Sequence, residues 1–144
     1  MSAVELPKNP IANWEQVRDE WIARVTALVD QVEAWARDLG WSTRRISKAL
    51  DDHEIGTYRV PALLLQEGTV RLLLEPQGRS AAPDTEGIVD LYVMPAYDDI
   101  ANLYFYQGGW HVHYRFPGTP TGEGRPLSAA VLRELFEEMI RRAA

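Results

Sequence analysis

The sequence predicts an α+β domain: an antiparallel meander sheet of five or six strands, flanked by a long N-terminal helix and a C-terminal helix packed on one face. Three observations lead there. Trp14, Trp21, Leu28 and Trp35 recur at seven-residue intervals, with Val25, Val32 and Leu39 repeating four places later, as on one side of a helix. Between about residues 58 and 116, runs of alternating apolar and polar residues are separated by short glycine-containing turns, the pattern of successive hairpins. The chain closes on Val131, Leu132, Leu135, Phe136, Met139 and Ile140, a second helical stripe.

The first helix is expected from Asn13, with Gln16 completing a capping box, to a stop at Gly40. At about 26 residues it would be roughly 39 Å long, and its tryptophan-rich stripe is expected to cover the sheet. Trp41 to Leu50 alternates like an edge strand, although Ser47 to Leu50 also suits a helical turn, and Asp51 to Gly56 forms a polar connection. A hairpin follows, Tyr58 to Gln66 and Thr69 to Glu75, turning at Glu67-Gly68. It sets Leu63, Leu65, Val70, Leu72 and Leu74 on the core face and Tyr58, Val60, Leu64, Arg71, Leu73 and Glu75 on the other. Pro61 lacks a ladder donor and marks an edge or bulge. Pro76 to Gly87 reads as a long loop carrying Arg79, Asp84 and Glu86, and Ile88 to Met94 as a strand with Asp90 and Tyr92 on its outer side.

The next hairpin is the most informative. With Gly108-Gly109 as its turn, Tyr106 faces His111 and Tyr104 faces His113. Leu103, Phe105, Trp110, Val112, Tyr114 and Phe116 then lie on the core face, and Asn102, Tyr104, Tyr106, His111, His113 and Arg115 on the opposite one. Pro117 to Pro126 reads as a linker, and Ser128 as the cap of the last helix, whose carboxyl end carries Arg141 and Arg142.

At 144 residues, with 46% hydrophobic and 25% charged side chains, the chain fits one domain, of which residues 1–12 are expected to be a flexible N-terminal segment. The absence of cysteine excludes disulfides, thiol nucleophiles and thiolate metal ligands. A net charge of −6 disfavours a nucleic-acid surface. No apolar run approaches the roughly 20 residues of a membrane span, so we expect a cytoplasmic protein without membrane partners.

Function is expected on the outer sheet face, where Arg71, Glu75, Asp90, Tyr92, Asn102, Tyr104, Tyr106, His111, His113 and Arg115 are the candidate binding residues. Tyr and Arg are favoured where proteins meet, so the leading expectation is a small accessory or binding domain that holds a protein partner or a small polar ligand. An alternative is a small-molecule enzyme in which Asp90 or Glu75 orients His111 or His113, with Tyr104 or Tyr92 as donor. A further alternative is a metal held by His111-Val112-His113, which needs a third ligand such as Asp90, Glu75 or His53; no metal and no cofactor is expected. There is no Gly-x-Ser-x-Gly elbow and no glycine-rich phosphate loop between a strand and a helix. A homodimer through the long helix or a strand edge is also anticipated.

Overall fold

The computed structural model describes residues 13–79, 84–118 and 121–143; the expected flexible segment 1–12 lies outside them. The chain runs α1 (Trp14–Asp38), β1 (Ser42–Asp52), β2 (Gly56–Glu67), β3 (Val70–Gly78), β4 (Ile88–Val93), β5 (Asp98–Tyr106), β6 (Gly109–Tyr114), β7 (Gly122–Pro126) and α2 (Ala129–Ala143). The strands pair antiparallel in chain order, β1 to β7, as a seven-stranded meander. This is the expected α+β architecture with seven strands instead of five or six.

The added strand is β7, where glycine and proline suggested a linker. It joins through backbone pairing to β6, with Val112 opposite Arg125 and Tyr114 opposite Gly122. A side chain at Gly122 would meet the Tyr114 ring at 2.1 Å, so glycine lets this strand approach. Ser42 to Leu50 is strand throughout, with no helical turn at its end, and β1 is a long edge.

Most of the expected α1 stripe packs on the sheet, although Leu39 is exposed and Trp14 and Trp35 are only half-buried. Trp21, Val25, Leu28, Val29, Val32 and Ala36 are buried in one cluster with Leu63, Leu65, Leu72, Leu74, Leu91, Leu103 and Val112 of the sheet. Leu132, Leu135, Phe136 and Met139 of α2 enter the same cluster, and Phe136 stacks on Trp41 at 4.6 Å. Both helices therefore cover one sheet face. Asn13 precedes α1, but its side chain makes no capping bond, and the Gln16 amide donates to Glu20 instead. At the other end Gly40, at φ +86°, donates to the carbonyl of Arg37 while Trp41 donates to that of Ala36, which is a Schellman termination. Ser128 caps α2 through a bond from the Val131 amide to its hydroxyl.

Tyr58 and Val60 depart from expectation. They lie in the main core, where Tyr58 accepts a 2.7 Å hydrogen bond from the Trp21 indole. Pairing of β2 with β3 covers only Leu63 to Glu67, so β2 leaves its neighbour close to Pro61. Its alternation breaks there, and Tyr58 and Val60 turn to the helix side together with Leu63 and Leu65.

Both hairpin turns also sit differently from the sequence reading. The β2–β3 turn is Gly68-Thr69 and the β5–β6 turn is Gln107-Gly108, with φ of +51° and +78°. Positive φ at both central residues makes the latter a type I′ turn, whose twist suits a hairpin. Phe105 now faces Trp110, and Trp110 reaches Trp21 at 6.5 Å. Each residue's partner moves by two positions, so every side chain keeps its expected face.

Candidate functional site

Four strands build the centre of the outer face. Glu75 on β3 pairs with Asp90 on β4, Asp90 with Asn102 on β5, and Asn102 with His113 on β6. Two carboxylates directly opposite would repel, and the surroundings answer this. Asp90, 5% exposed, accepts hydrogen bonds from Asn102 at 2.6 Å and from the Tyr97 hydroxyl at 2.8 Å. Glu75 pairs with Lys48 at 3.0 Å and accepts from the Tyr92 hydroxyl at 2.9 Å. Burial acts to raise the Glu75 pKa, but the bonds from Lys48 and Tyr92 outweigh it and hold the carboxyl below its ordinary value. Tyr92 is pushed up to about 12 by burial and by Glu75, and Tyr97 up to about 12 by its bond to Asp90 and by burial, so both remain protonated donors.

Beside this row lies an aromatic group. Tyr106 stacks on His111 with centroids 3.9 Å apart, and Tyr104 meets His113 edge-on at 5.0 Å. The sequence reading placed these rings directly opposite; they are diagonal neighbours, still within ring contact. The Tyr106 hydroxyl and His113 Nε2 are hydrogen-bonded at 3.2 Å, and His111 Nδ1 lies 3.1 Å from the Gly109 carbonyl. Burial lowers the His113 pKa, and neighbouring His111 adds to this against the opposing charge of Glu123. His113 is thus neutral at pH 7.

A cleft of about 560 Å³ opens over these rings, lined by Tyr104, Tyr106, Gln107 and His113 below and by Asp84, Thr85 and Glu86 above. The upper wall is fastened where it leaves the sheet. The Glu86 amide donates to the Phe105 carbonyl at 2.7 Å, the Phe105 amide to the Gly87 carbonyl at 2.9 Å, and Arg24 of α1 to the Glu86 carbonyl at 3.1 Å. Arg24 also lies over the Phe105 ring at 3.9 Å. Gly87 rests on Trp21, where an added Cβ would fall 2.3 Å from the indole. The end of the expected Pro76–Gly87 loop is therefore held against β5 and α1 beside Tyr104 and Tyr106.

Of the ten expected site residues, Tyr104, Tyr106 and His113 line the cleft, and His111 supports Tyr106 from behind. Glu75, Asp90, Tyr92 and Asn102 form the adjoining hydrogen-bonded row. Arg71 is exposed, four residues and about 13 Å along β3 from Glu75. Arg115 is paired with Glu123 and its side chain is 77% exposed. Neither arginine joins the centre: Leu73, part of a small apolar cluster with Ala62, Leu64, Tyr92, Met94 and Ile100, lies between Arg71 and Glu75, and Arg115 turns to Glu123. Lys48, Tyr97 and Gln107 were not anticipated. Lys48 depends on how β1 meets β3 across a strand, and Tyr97 on a left-handed turn residue at φ +58°. Arg79, expected in a loop, is instead fixed by Asp52 at 3.0 Å and Glu54 at 2.5 Å.

The hydrogen bonds of the two histidines run to Tyr106 and to the backbone, and those of Asp90 to Tyr97 and Asn102, so the expected carboxylate–histidine pair is not formed. Among the described residues no three His, Asp or Glu side chains converge as a metal site, and no helix is long and apolar enough to cross a membrane. No family model matches the chain, and neither a curated protein nor a solved structure is detectably similar to it.

Proposed function

We propose that this is a cytoplasmic binding domain, without catalytic activity of its own, that holds a polar ligand or a polar segment of a protein partner on its outer sheet face. The observation that carries this reading is the cleft between the Asp84–Glu86 wall and the Tyr104, Tyr106 and His113 rings. Its floor is a rigid sheet, its rings are held by one another, and its wall is pinned to β5 and α1, which is the preorganisation that lowers the entropic cost of binding. The carboxylates that would serve acid–base chemistry are occupied by Lys48, Tyr92, Tyr97 and Asn102. An enzyme on the same face is the second reading, and it draws on one feature, a neutral His113 bonded to Tyr106 on the cleft floor.

The test is a nuclear magnetic resonance screen of uniformly labelled protein against polar metabolite mixtures and short polar peptides. Binders should move the resonances of Tyr104, Tyr106 and His113, and His113→Ala should keep part of the affinity. Perturbations confined to other surfaces, or none, would contradict the reading, while complete loss of a detected turnover in His113→Ala would favour the enzyme. The same proposal leaves β1, an edge strand of eleven residues with no further strand paired to it among the described residues, as the route to a homodimer, and sedimentation returning a monomer at high micromolar concentration would remove that route.

A further inference from the structure

The lining of the cleft has a consistent chemistry. Among the described residues, Asp84 and Glu86 are its charged members, no lysine or arginine lines it, and its remaining surface is two phenol rings, an imidazole, an amide and a threonine. Two arginines share a neighbouring hollow with Thr85 and Glu86: Arg79, held by Asp52 and Glu54, and Arg24, which is also directed elsewhere. Its guanidinium covers Phe105 and bonds the Glu86 carbonyl, and it reaches the Glu86 carboxylate only at 3.9 Å, leaving that side chain 62% exposed. An anion entering here would meet two carboxylates and two electron-rich phenol rings. A cation would meet the same groups favourably, since aromatic faces attract cations and carboxylates neutralise them.

Resting on the binding reading above, we propose that the cleft is selective for an organic cation, an alkylammonium or guanidinium group, seated over Tyr104 and Tyr106 beneath Asp84 and Glu86. The group belongs either to a free amine or to a side chain of a partner. The Asp84–Glu86 wall supplies charge, and the rings supply an apolar contact that inorganic cations, with their tightly held water, do not use.

Three probes of nearly the same shape isolate the charge: choline, its uncharged carbon analogue 3,3-dimethylbutan-1-ol, and the anion 3,3-dimethylbutanoate. Their affinities are measured by ligand-observed magnetic resonance at low salt, with N-acetylargininamide as a peptide-like cation. Choline should bind at least ten-fold more tightly than the alcohol, and the carboxylate should not bind. Tyr106→Phe, which keeps the ring, should retain cation binding. Tyr106→Leu should weaken it by roughly five-fold, as loss of one cation–ring contact does, and Asp84→Asn with Glu86→Gln should remove the preference over the alcohol. Tighter binding of N-acetylargininamide than of choline identifies a partner's side chain as the source, and the reverse order a free amine. Equal affinity for choline and the alcohol would overturn the proposal and leave a binding cleft of different selectivity. No binding of any probe, together with silence of the cleft in the metabolite and peptide screen, would overturn both.

Discussion

Asp90 is buried on the open side of the sheet, and its two oxygens are taken by Asn102 and Tyr97. That arrangement explains how a carboxylate sits opposite Glu75 without unfolding the row: neutral donors serve one acid and Lys48 serves the other. Glu75 carries a pH consequence. Its folded pKa lies below the ordinary value, so its contribution is present at neutral pH and is lost as pH falls through the folded pKa. Glu75→Gln should therefore be less stable than the parent at pH 7, with the difference shrinking below about pH 4; urea denaturation at both pH values checks it, and an equal difference at the two would contradict it. On the helix side, Tyr58→Phe leaves the buried Trp21 indole without its acceptor. It should cost about 1–3 kcal/mol, seen as a lower denaturation midpoint at unchanged slope. At this scale the sequence was informative about which residues face outward between Ile88 and Arg115, because alternation alone decides it. It was silent on Lys48 and Tyr97, whose positions depend on neighbours distant in the chain.

Turns and strand ends decide what the elements present. The β5–β6 hairpin was legible as a hairpin and in its two faces, while its turn fell one residue earlier than two adjacent glycines suggested. The competing term was tertiary: the observed register seats Trp110 against Phe105 and Trp21, and Gln107 accepts a left-handed conformation for it. Likewise β7 was not legible, because its pairing is a backbone matter and its composition resembles a loop. The segment leading into β4 was read as irregular, yet its end is pinned by Phe105, Arg24 and Trp21. Gly87→Ala would drive a methyl group into the Trp21 indole, at a cost of about 1–3 kcal/mol. The same change should displace the cleft wall and weaken ligand binding beyond what the global destabilisation explains. Calorimetric unfolding and a binding titration of the variant check both, and a variant with parental stability would contradict the packing described.

Among the described residues, two helices close one face of the meander and no helix covers the other, so the fold itself separates a stabilising face from a displaying one. This division was legible from the tryptophan stripe and the alternating strands. What the sequence left open was which outer residues meet, since that depends on strand order and on bends such as the one near Pro61. The seven-stranded order brings Tyr104, Tyr106 and His113 under Asp84 and Glu86, while Arg71 lies farther along β3 and Arg115 is paired with Glu123. A second depression, of about 480 Å³, lies between Trp35 and Leu39 of the first helical region and Ala129, Arg133 and Glu137 of α2, on the helix side. It is the structural rival to the cleft. The decisive measurement is a crystal structure of the full chain soaked with choline at saturating concentration. Electron density for the trimethylammonium group is expected between the Tyr104 and Tyr106 rings and the Asp84–Glu86 segment; density confined to the Trp35 depression, or an empty cleft at saturation, would overturn the assignment of this cleft.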